Sequence, residues 1–454
     1  MANKYDMYID YKRSDRKRGQ RKNNKFWIFI VIILVVGILG IIYKIAKSNY
    51  DKNETILPNE TTQEDTSDTG ITDTSKTAHI TAVPTIKPTV APTAVPTITP
   101  TPQPTLPVMG NNVTDISDED MRKPVTVKGI YVPAGTANSD KLEKLLDMTS
   151  STEINAMVID VKDDHGKISF QMDCPVAKEI GALTNTITDV KTLVKTLKEK
   201  NIYLIARIVS FKDPYLAEKR PDLAIRNKDG SLYRDNNGEC WVNPYNKDVW
   251  DYLVSVASQA AAVGFDEIQF DYIRFSTGDG ISKADFGEAA KTMTKEGIIT
   301  EFTKYAYRKL KPIGVYVSAD VYGAIISSPV DAGLVGQNFV EMSKYLDYIC
   351  PMIYPSHFGE GNYGIQYPDL DPYNIIRKVL EASDTKLSEL PKKQHRAIVR
   401  PWLQDFTASW VKHHKKYGGE EVRQEINGVY SAGYGEWLLW NSKCDYSEDG
   451  LLEE

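Results

Sequence analysis

Short β-rich runs alternate with helical patterns from about residue 125 almost to the end of this chain, and few folds accommodate that order. Eight runs have strand-like patterns, at residues 127–133, 156–162, 202–209, 267–275, 314–322, 348–355, 397–404 and 435–441. Helical patterns lie between them, at residues 139–151, 187–200, 247–263, 283–310, 334–346, 372–382 and 420–432. Alternating strands and helices indicate βα units around a parallel sheet. Eight such strands predict an α/β fold of the (β/α)8 TIM barrel type.

An open, doubly wound sheet is the alternative architecture. It normally has a glycine-rich phosphate loop after its first strand, and the residues after 133 contain no such loop. The helix at 247–263 also has clear end signals, with Asn246 as a candidate N-cap and Gly264 as a candidate left-handed terminator. We therefore favour the closed barrel.

The fourth predicted strand contains a carboxylate where a buried strand would be apolar. Side chains alternate between faces, so Ile268 and Phe270 share one side, and Gln269 and Asp271 share the other. The same split recurs in the other strands, whose polar set comprises Asp160, Lys162, Arg207, Ser318, Asp320, Tyr354, Arg400, Gln404 and Trp440. Buried ion pairs roughly break even against apolar replacements, so stability alone does not explain this set. Polar groups converging on the carboxyl end of a barrel predict a ligand site.

Two carboxylates in one site are the usual equipment for cleaving a glycosidic bond. Asp271 and Asp320 lie at the ends of neighbouring predicted strands. We assign Asp271 as nucleophile or base and Asp320 as acid, with Asp160 as a substitute for either. Crowding should raise the pKa of one carboxyl, while Arg207 or Lys162 keeps the other ionised. The pattern does not distinguish retention from inversion.

Further polar and aromatic residues near the strand ends are candidate sugar contacts, because aromatic rings bury the flat apolar faces of sugars. The predicted substrate-binding set is Lys162, Asp164, His165, Arg207, Trp241, Gln269, Arg274, Tyr322, Tyr354, His357, Trp402, Gln404 and Trp440. No histidine spacing typical of a metal site occurs, and we expect neither a cofactor nor a metal.

The first quarter of the chain is a separate region. Residues 1–25 carry a net charge of +6 and are expected to form a cytoplasmic tail, and residues 26–43 are 18 uncharged, mostly aliphatic positions. Such a run as a helix just spans a bilayer core, and flanking positive charge stays inside. We predict a single-pass cell-membrane protein whose C-terminal domain is extracellular. A cleaved signal peptide is the alternative, although no small-x-small cleavage site follows.

Residues 44–111 are predicted to be a disordered extracellular stalk, and residues 112–454 to be the barrel domain. Residues 81–107 contain eight Pro and eight Thr, which favours an extended spacer. The whole chain has a net charge of −6, so the residues after the +6 tail carry −12. Such a negative charge argues against nucleic acid as a partner. The four cysteines have no zinc-site spacing, and the sequence leaves open whether Cys174 and Cys240 form a disulfide.

Seven ordered motifs resemble the glycosyl hydrolase family catalogued as domain of unknown function 4015. They are VKGIYVP (127–133), VIDVKD (158–163), ARIVSFKD (206–213), WVNPY (241–245), FDYIRF (270–275), SADVYG (318–323) and PMIYPS (351–356). The resemblance implies a barrel hydrolase. For a hydrolase tethered to the membrane and facing outward, we expect a surface or environmental polysaccharide as substrate. The order of these motifs along the chain is also similar to the α-amylase-type layout. This chain departs from that layout at Gln269, where Arg is usual, and at Asp320, where Glu is usual.

Two other functions remain open from the sequence. One is a carbohydrate-binding or cell-wall-organising barrel without turnover, and the other is metal-dependent deacetylation of an amino sugar. Two carboxylates in the polar set favour the hydrolase. The sequence predicts no particular protein partner.

Overall fold

The computed structural model describes residues 122–453. The predicted tail (1–25), membrane helix (26–43) and stalk (44–111) lie outside the described residues. Between residues 122 and 453, no helix combines the length and the apolar character needed to cross a bilayer.

Parallel strands form a closed ring in this part of the chain. They are β1 (Lys128–Val132), β2 (Ala156–Lys162), β3 (Tyr203–Val209), β4 (Glu267–Asp271), β5 (Tyr316–Tyr322), β6 (Tyr348–Met352), β7 (Ile398–Val399), β8 (Trp402–Gln404) and β9 (Trp437–Trp440). Neighbours pair in sequence order, β7 and β8 share the seventh position, and β9 pairs with β1. Eight strand positions in a closed parallel ring confirm the predicted TIM barrel.

Helices cover the outside of the ring. They are α1 (Ala134–Ala137), α2 (Lys141–Ser151), α3 (Pro175–Ile180), α4 (Val190–Glu199), α5 (Pro214–Lys219), α6 (Lys247–Val263), α7 (Lys295–Leu310), α8 (Pro329–Val335), α9 (Phe339–Ser343), α10 (Pro372–Leu387) and α11 (Gly419–Ser431). Helix α6 has its predicted ends, because the Asn246 side chain accepts a hydrogen bond from the Asp248 N–H and Gly264 is left-handed at φ 113°.

Several predicted strands are shorter than expected, and two of them have a clear local cause. The strand predicted at 397–404 is divided between β7 and β8 at Arg400 and Pro401, and Pro401 has no N–H to donate to a ladder. The strand predicted at 267–275 ends at Asp271, because Tyr272 takes a left-handed conformation at φ 47°. That conformation is uncommon for a residue other than glycine and turns the chain away from the sheet.

Two predicted helices also differ. The helix predicted at 283–310 begins only at Lys295, where the Thr294 side chain caps it, and residues 284–285 instead pair with 226–227 in a short antiparallel ladder. The helix predicted at 334–346 is replaced by α8 and α9, separated by Gly336 at φ 78°. Local capping therefore overrides the longer helical pattern in both segments.

The barrel has two buried layers, as the alternating faces predicted. Ile268 and Phe270 pack in the core between strands and helices, whereas Tyr203 and Ile205 pack inside the ring. The amino-terminal end of the ring is also charged, which corrects the expectation for Arg400. Its guanidinium lies there, 2.9 Å from Glu267 and 2.8 Å from Glu436, rather than at the carboxyl end.

Candidate active site

Asp271 and Asp320 lie next to each other at the carboxyl end of the barrel. Strands β4 and β5 are in register through Gln269 with Ser318 and Phe270 with Ala319, so the two aspartates occupy the following position. Neighbouring strands are about 4.8 Å apart. Both aspartates are largely buried, at 7% and 2% exposure, yet both line a cavity of about 490 Å³. The two carboxyls therefore face one cavity, as the sequence predicted.

Arg207 on β3 connects three carboxylates on one side of this cavity. Its Nη1 lies 2.7 Å from Asp160 Oδ1, and its Nη2 lies 2.9 Å from Asp164 Oδ1. Its Nε and Nη2 also donate to Asp271 Oδ2, at 2.9 and 2.5 Å. Arg207 thus supplies the cation that balances Asp271, and a guanidinium with two donors on one oxygen holds that carboxylate in a fixed orientation.

Asp320 lies in a different electrostatic environment. Burial, together with the nearby negative charge of Asp271, raises the pKa of Asp320 well above its usual range. A hydrogen bond from Trp402 Nε1, 2.7 Å from Asp320 Oδ1, opposes this shift without cancelling it. The site therefore pairs an Asp320 whose surroundings favour the protonated carboxyl with an Asp271 that contacts a cation.

Asp164 differs again from Asp320, although both contact the same cavity. Burial alone would raise the pKa of Asp164, but the charges of Arg207 and then Lys212 outweigh burial and hold this pKa below its ordinary value. Asp164 is therefore ionised and suits a role in binding rather than in donating a proton.

Aromatic rings form much of the cavity wall. Trp402 and Trp440 meet edge to face at 5.6 Å between ring centroids, and Phe406 and Trp410 stack at 6.0 Å. These four rings line the cavity, as does Tyr354. Such rings are suited to the apolar faces of sugar rings.

Arg274 brings a second cation to the cavity. Its guanidinium carbon lies 5.1 Å from the ring centroid of Trp241, 5.1 Å from that of Tyr272 and 4.8 Å from that of Tyr322. These cation–π contacts fix the position of the guanidinium. Arg274 and Tyr322 line the cavity, whereas Trp241 lies behind them.

The structure brings ten of the predicted site residues together around this cavity. They are Asp164, Arg207, Asp271, Arg274, Asp320, Tyr322, Tyr354, His357, Trp402 and Trp440. Their common origin is the carboxyl end of the strands and the loops that follow, which was the position expected for a barrel site.

Six other predicted residues do not line the cavity. Asp160 is buried beneath it, bonded to Arg207 and to the Tyr131 hydroxyl. Lys162 pairs with Asp213 at 2.8 Å, and His165 lies in the exposed loop near Glu239. The others are buried side chains with internal partners: Trp241 donates to Asp235, Gln269 to the Cys350 sulfur, and Gln404 to Asp369.

Several cavity residues escaped the sequence reasoning. They lie in the loops after β8 and β9 and include Asp405, Phe406, Trp410, Asn441, Lys443 and Ser447. Asp405 directly follows the end of β8, so the signal that identified Asp271 could also have identified it. Burial raises the pKa of Asp405 to about 6, although the Ser447 N–H and hydroxyl both donate to its carboxylate.

The four cysteines are reduced and buried, so the Cys174–Cys240 disulfide considered from the sequence is not formed. Cys174 immediately precedes α3, whereas Cys240 pairs with Arg234 in a short antiparallel bridge. Within residues 122–453, no group of three or more His, Cys, Asp or Glu side chains is arranged to hold a metal ion.

The family model of the putative glycosyl hydrolase domain matches residues 129–446, and the chain belongs to this family. The match covers every barrel strand except the first residue of β1. No curated protein matches the chain.

Two solved structures are similar to this chain. A hypothetical protein from Ruminiclostridium thermocellum ATCC 27405 is 42% identical, with 42% of this chain and 97% of that chain covered and a TM-score of 0.39. The PgaB (BpsB) glycoside hydrolase domain from Bordetella bronchiseptica is 13% identical, with 70% of this chain and 94% of that chain covered and a TM-score of 0.51. The second similarity supports the fold alone.

Proposed function

We propose that this member of the putative glycosyl hydrolase domain family is a glycoside hydrolase that uses Asp320 as acid and Asp271 as nucleophile or base. The observation that carries the proposal is the pair itself: two carboxyls from adjacent strands share one cavity in opposite electrostatic environments. Pairs of titratable groups whose environments differ in this way are the usual basis of acid and base roles.

The proposed reaction begins with proton transfer from Asp320. Its raised pKa keeps the proton on the carboxyl until a glycosidic oxygen lies within hydrogen-bonding distance, and transfer to that oxygen makes the departing sugar a neutral alcohol. Positive charge then develops at the anomeric carbon, where the Asp271 carboxylate attacks directly or removes a proton from an attacking water. Arg207 holds Asp271 through two donors on one oxygen. The other carboxylate oxygen of Asp271, Oδ1, accepts a hydrogen bond from the Tyr272 N–H.

Sugar rings would be bound by the aromatic wall. Trp440, Phe406 and Trp410 offer apolar faces, and Asp164 and Arg274 offer fixed charges for hydroxyl or substituent contacts. This combination fits a saccharide better than a purely apolar ligand. We infer that the substrate is a polysaccharide of the cell surface or of the surroundings.

The direct test is a panel of polysaccharides and amino-sugar polymers incubated with the wild type and the Asp271→Asn variant. We expect new reducing ends from the wild type and none from the variant, with the free energy of unfolding changed by less than about 2 kcal/mol. Arg207 retains Asp160 and Asp164 in that variant, so its charge stays balanced.

Asp160→Asn is the matched control, because it removes a carboxylate from the same guanidinium at a position that does not line the cavity. We expect it to keep most of the hydrolytic activity. Unchanged hydrolysis by Asp271→Asn would contradict the assignment. Saccharide binding without any product from the wild type would instead favour the non-catalytic, carbohydrate-binding function.

The proposed location is the outer face of a cell membrane, supported by the charge and hydropathy of residues 1–43. The full-length chain should sediment with membranes and resist extraction by high salt. Protease added to intact cells should remove the barrel domain. A chain found in the soluble fraction, or protected from external protease, would contradict this location.

A further inference from the structure

A chain of hydrogen bonds behind the cavity wall ends at His357. Gln404 on β8 lies behind the loop that follows β6, where Ser356 and His357 are adjacent. The Ser356 hydroxyl lies 2.7 Å from Gln404 Oε1 and 3.0 Å from His357 Nδ1. Gln404 and Ser356 are buried, at 0% and 5% exposure. The chemistry of each partner fixes the direction of these bonds.

The Gln404 amide can be oriented in one way only. Its nitrogen donates to the Phe406 carbonyl at 3.1 Å and to Asp369 Oδ1 at 3.1 Å, and the carbonyl is an acceptor only. Its oxygen accepts from the Ser356 N–H at 3.2 Å, and that group is a donor only. Gln404 Oε1 therefore faces Ser356.

This orientation determines the proton position on His357. The Ser356 hydroxyl must donate its single hydrogen to Gln404 Oε1, because that oxygen has none to give. The contact between Ser356 Oγ and His357 Nδ1 then requires a hydrogen on Nδ1. In a neutral imidazole with hydrogen on Nδ1, Nε2 carries a lone pair and accepts hydrogen bonds.

The His357 ring is held at the cavity and remains uncharged. It meets Tyr354 edge to face at 5.2 Å and Phe406 at 6.4 Å between ring centroids, and it lines the cavity. Burial lowers the pKa of His357 to about 4, so the ring is neutral at ordinary pH. No protein group among residues 122–453 bonds to Nε2, which leaves that atom as the acceptor available to a bound molecule.

We propose that His357 is a specificity-determining residue whose Nε2 accepts a hydrogen bond from a sugar hydroxyl or amide N–H. Gln404 and Ser356 are positioning residues that hold His357 in this tautomer. The inference rests on the proposed function for the identity of the ligand, but not for the tautomer. It also gives Gln404 a role behind the cavity instead of the direct sugar contact expected from the sequence.

The tautomer can be measured without a ligand by nitrogen NMR of the full-length chain labelled only at histidine, with the His357 signals assigned by their loss in His357→Gln. We expect a protonated Nδ1 and an unprotonated Nε2 in the wild type. Ser356→Thr, which keeps the hydroxyl, should give the same pattern. Ser356→Ala should shift the ring toward hydrogen on Nε2. A wild type with hydrogen on Nε2, or a Ser356→Ala variant without any change, would overturn the assignment of the His357 tautomer to these hydrogen bonds.

The ligand role is tested by titrating the labelled Asp271→Asn chain with cellopentaose, which offers hydroxyl donors, and with penta-N-acetylchitopentaose, which adds amide donors. A bound saccharide should move the Nε2 resonance, and adding His357→Phe should weaken its binding by roughly fivefold to tenfold, as expected for one lost hydrogen bond. Binding that leaves both quantities unchanged would overturn the role of His357. If neither saccharide binds and no polysaccharide of the panel is cleaved, the proposed function and the sugar contact fail together. The tautomer measurement still decides whether Gln404 and Ser356 hold His357 in the assigned tautomer.

Discussion

Trp402 is the residue that most directly adjusts the proposed acid. Its indole N–H donates to Asp320 Oδ1 and so favours the ionised carboxyl, which lowers a pKa that burial has raised. Only the protonated acid is active, so hydrolysis should fall as the pH rises through this pKa. In Trp402→Phe the pKa should rise further. We expect the alkaline limb of the pH–rate profile to move to higher pH by roughly half a unit to one unit.

Trp440→Phe is the control for this shift. Trp440 contacts the Trp402 ring and lines the cavity, but its indole does not donate to Asp320. Its substitution should alter the affinity for substrate and leave the alkaline limb in place. Equal shifts in both variants would show that the hydrogen bond to Asp320 is not their cause.

Asp405 makes a separate prediction about stability. Burial raises its pKa to about 6 in the folded protein, above the ordinary value of 3.8. The folded state therefore binds this proton more tightly than the unfolded state, and its contribution to stability is present below about pH 4 and lost as the pH rises to about 6. The free energy of unfolding of the wild type, relative to Asp405→Asn, should fall by up to about 3 kcal/mol over this window. Urea unfolding at pH 4 and 7 checks it, and a constant difference would contradict it.

At the residue scale, strand alternation predicted which face of its strand a side chain occupies better than it predicted how close that side chain lies to the cavity. It placed Asp271 and Asp320 on the interior side of their strands, where the structure has them. It could not show that Asp160 lies below the cavity or that Gln404 lies behind its wall, since both depend on where neighbouring loops pass. Trp410 was missed because it lies in a loop, beyond the reach of a period-two pattern, whereas Asp405 directly follows β8 and was overlooked.

At the scale of elements, the amino-terminal end of the barrel depends on a charged cluster that has no contact with the cavity. Arg400 contacts Glu267 and Glu436 and covers the Tyr348 ring at 3.6 Å, with no exposed side-chain surface. Replacing Arg400 by Met would leave two buried carboxylates without their cation, and such losses cost about 3–5 kcal/mol. Urea unfolding should show this loss, while the kcat of the folded fraction remains near that of the wild type.

The double variant Arg400→Met/Glu267→Gln is the control for the charge argument. Removing one uncompensated carboxylate should recover part of the lost stability. If the single variant is as stable as the wild type, the cluster does not hold the amino-terminal end of the ring together.

Element types were predictable here because their signals are long and repeated. The helix 247–263 was predicted with its observed bounds since both of its ends have caps. Shorter signals failed: helices α3 and α5 each span only six residues and begin with Pro, and neither was predicted. The early end of β4 was not predicted either, because no residue type near Tyr272 indicates a left-handed conformation there.

At the scale of the whole molecule, barrel closure uses only residues between 128 and 440. Arg122 adds an ion pair with Asp347 at 2.6 Å, so a truncated chain should begin before it. We expect residues 112–454 to unfold within about 2 °C of the full-length chain. Calorimetry of both forms tests this, and a much lower Tm for the shorter form would show that the first 111 residues stabilise the barrel.

The central claim, separate roles for Asp320 and Asp271, is tested most directly by the dependence of rate on the leaving group. Glycosyl fluorides need no acid, because fluoride leaves without a proton, whereas a polysaccharide does. For the sugar found in the panel, Asp320→Asn should lose hydrolysis of the polysaccharide and keep that of the fluoride, and Asp271→Asn should lose both. Equal losses on both substrates in Asp320→Asn would contradict the account.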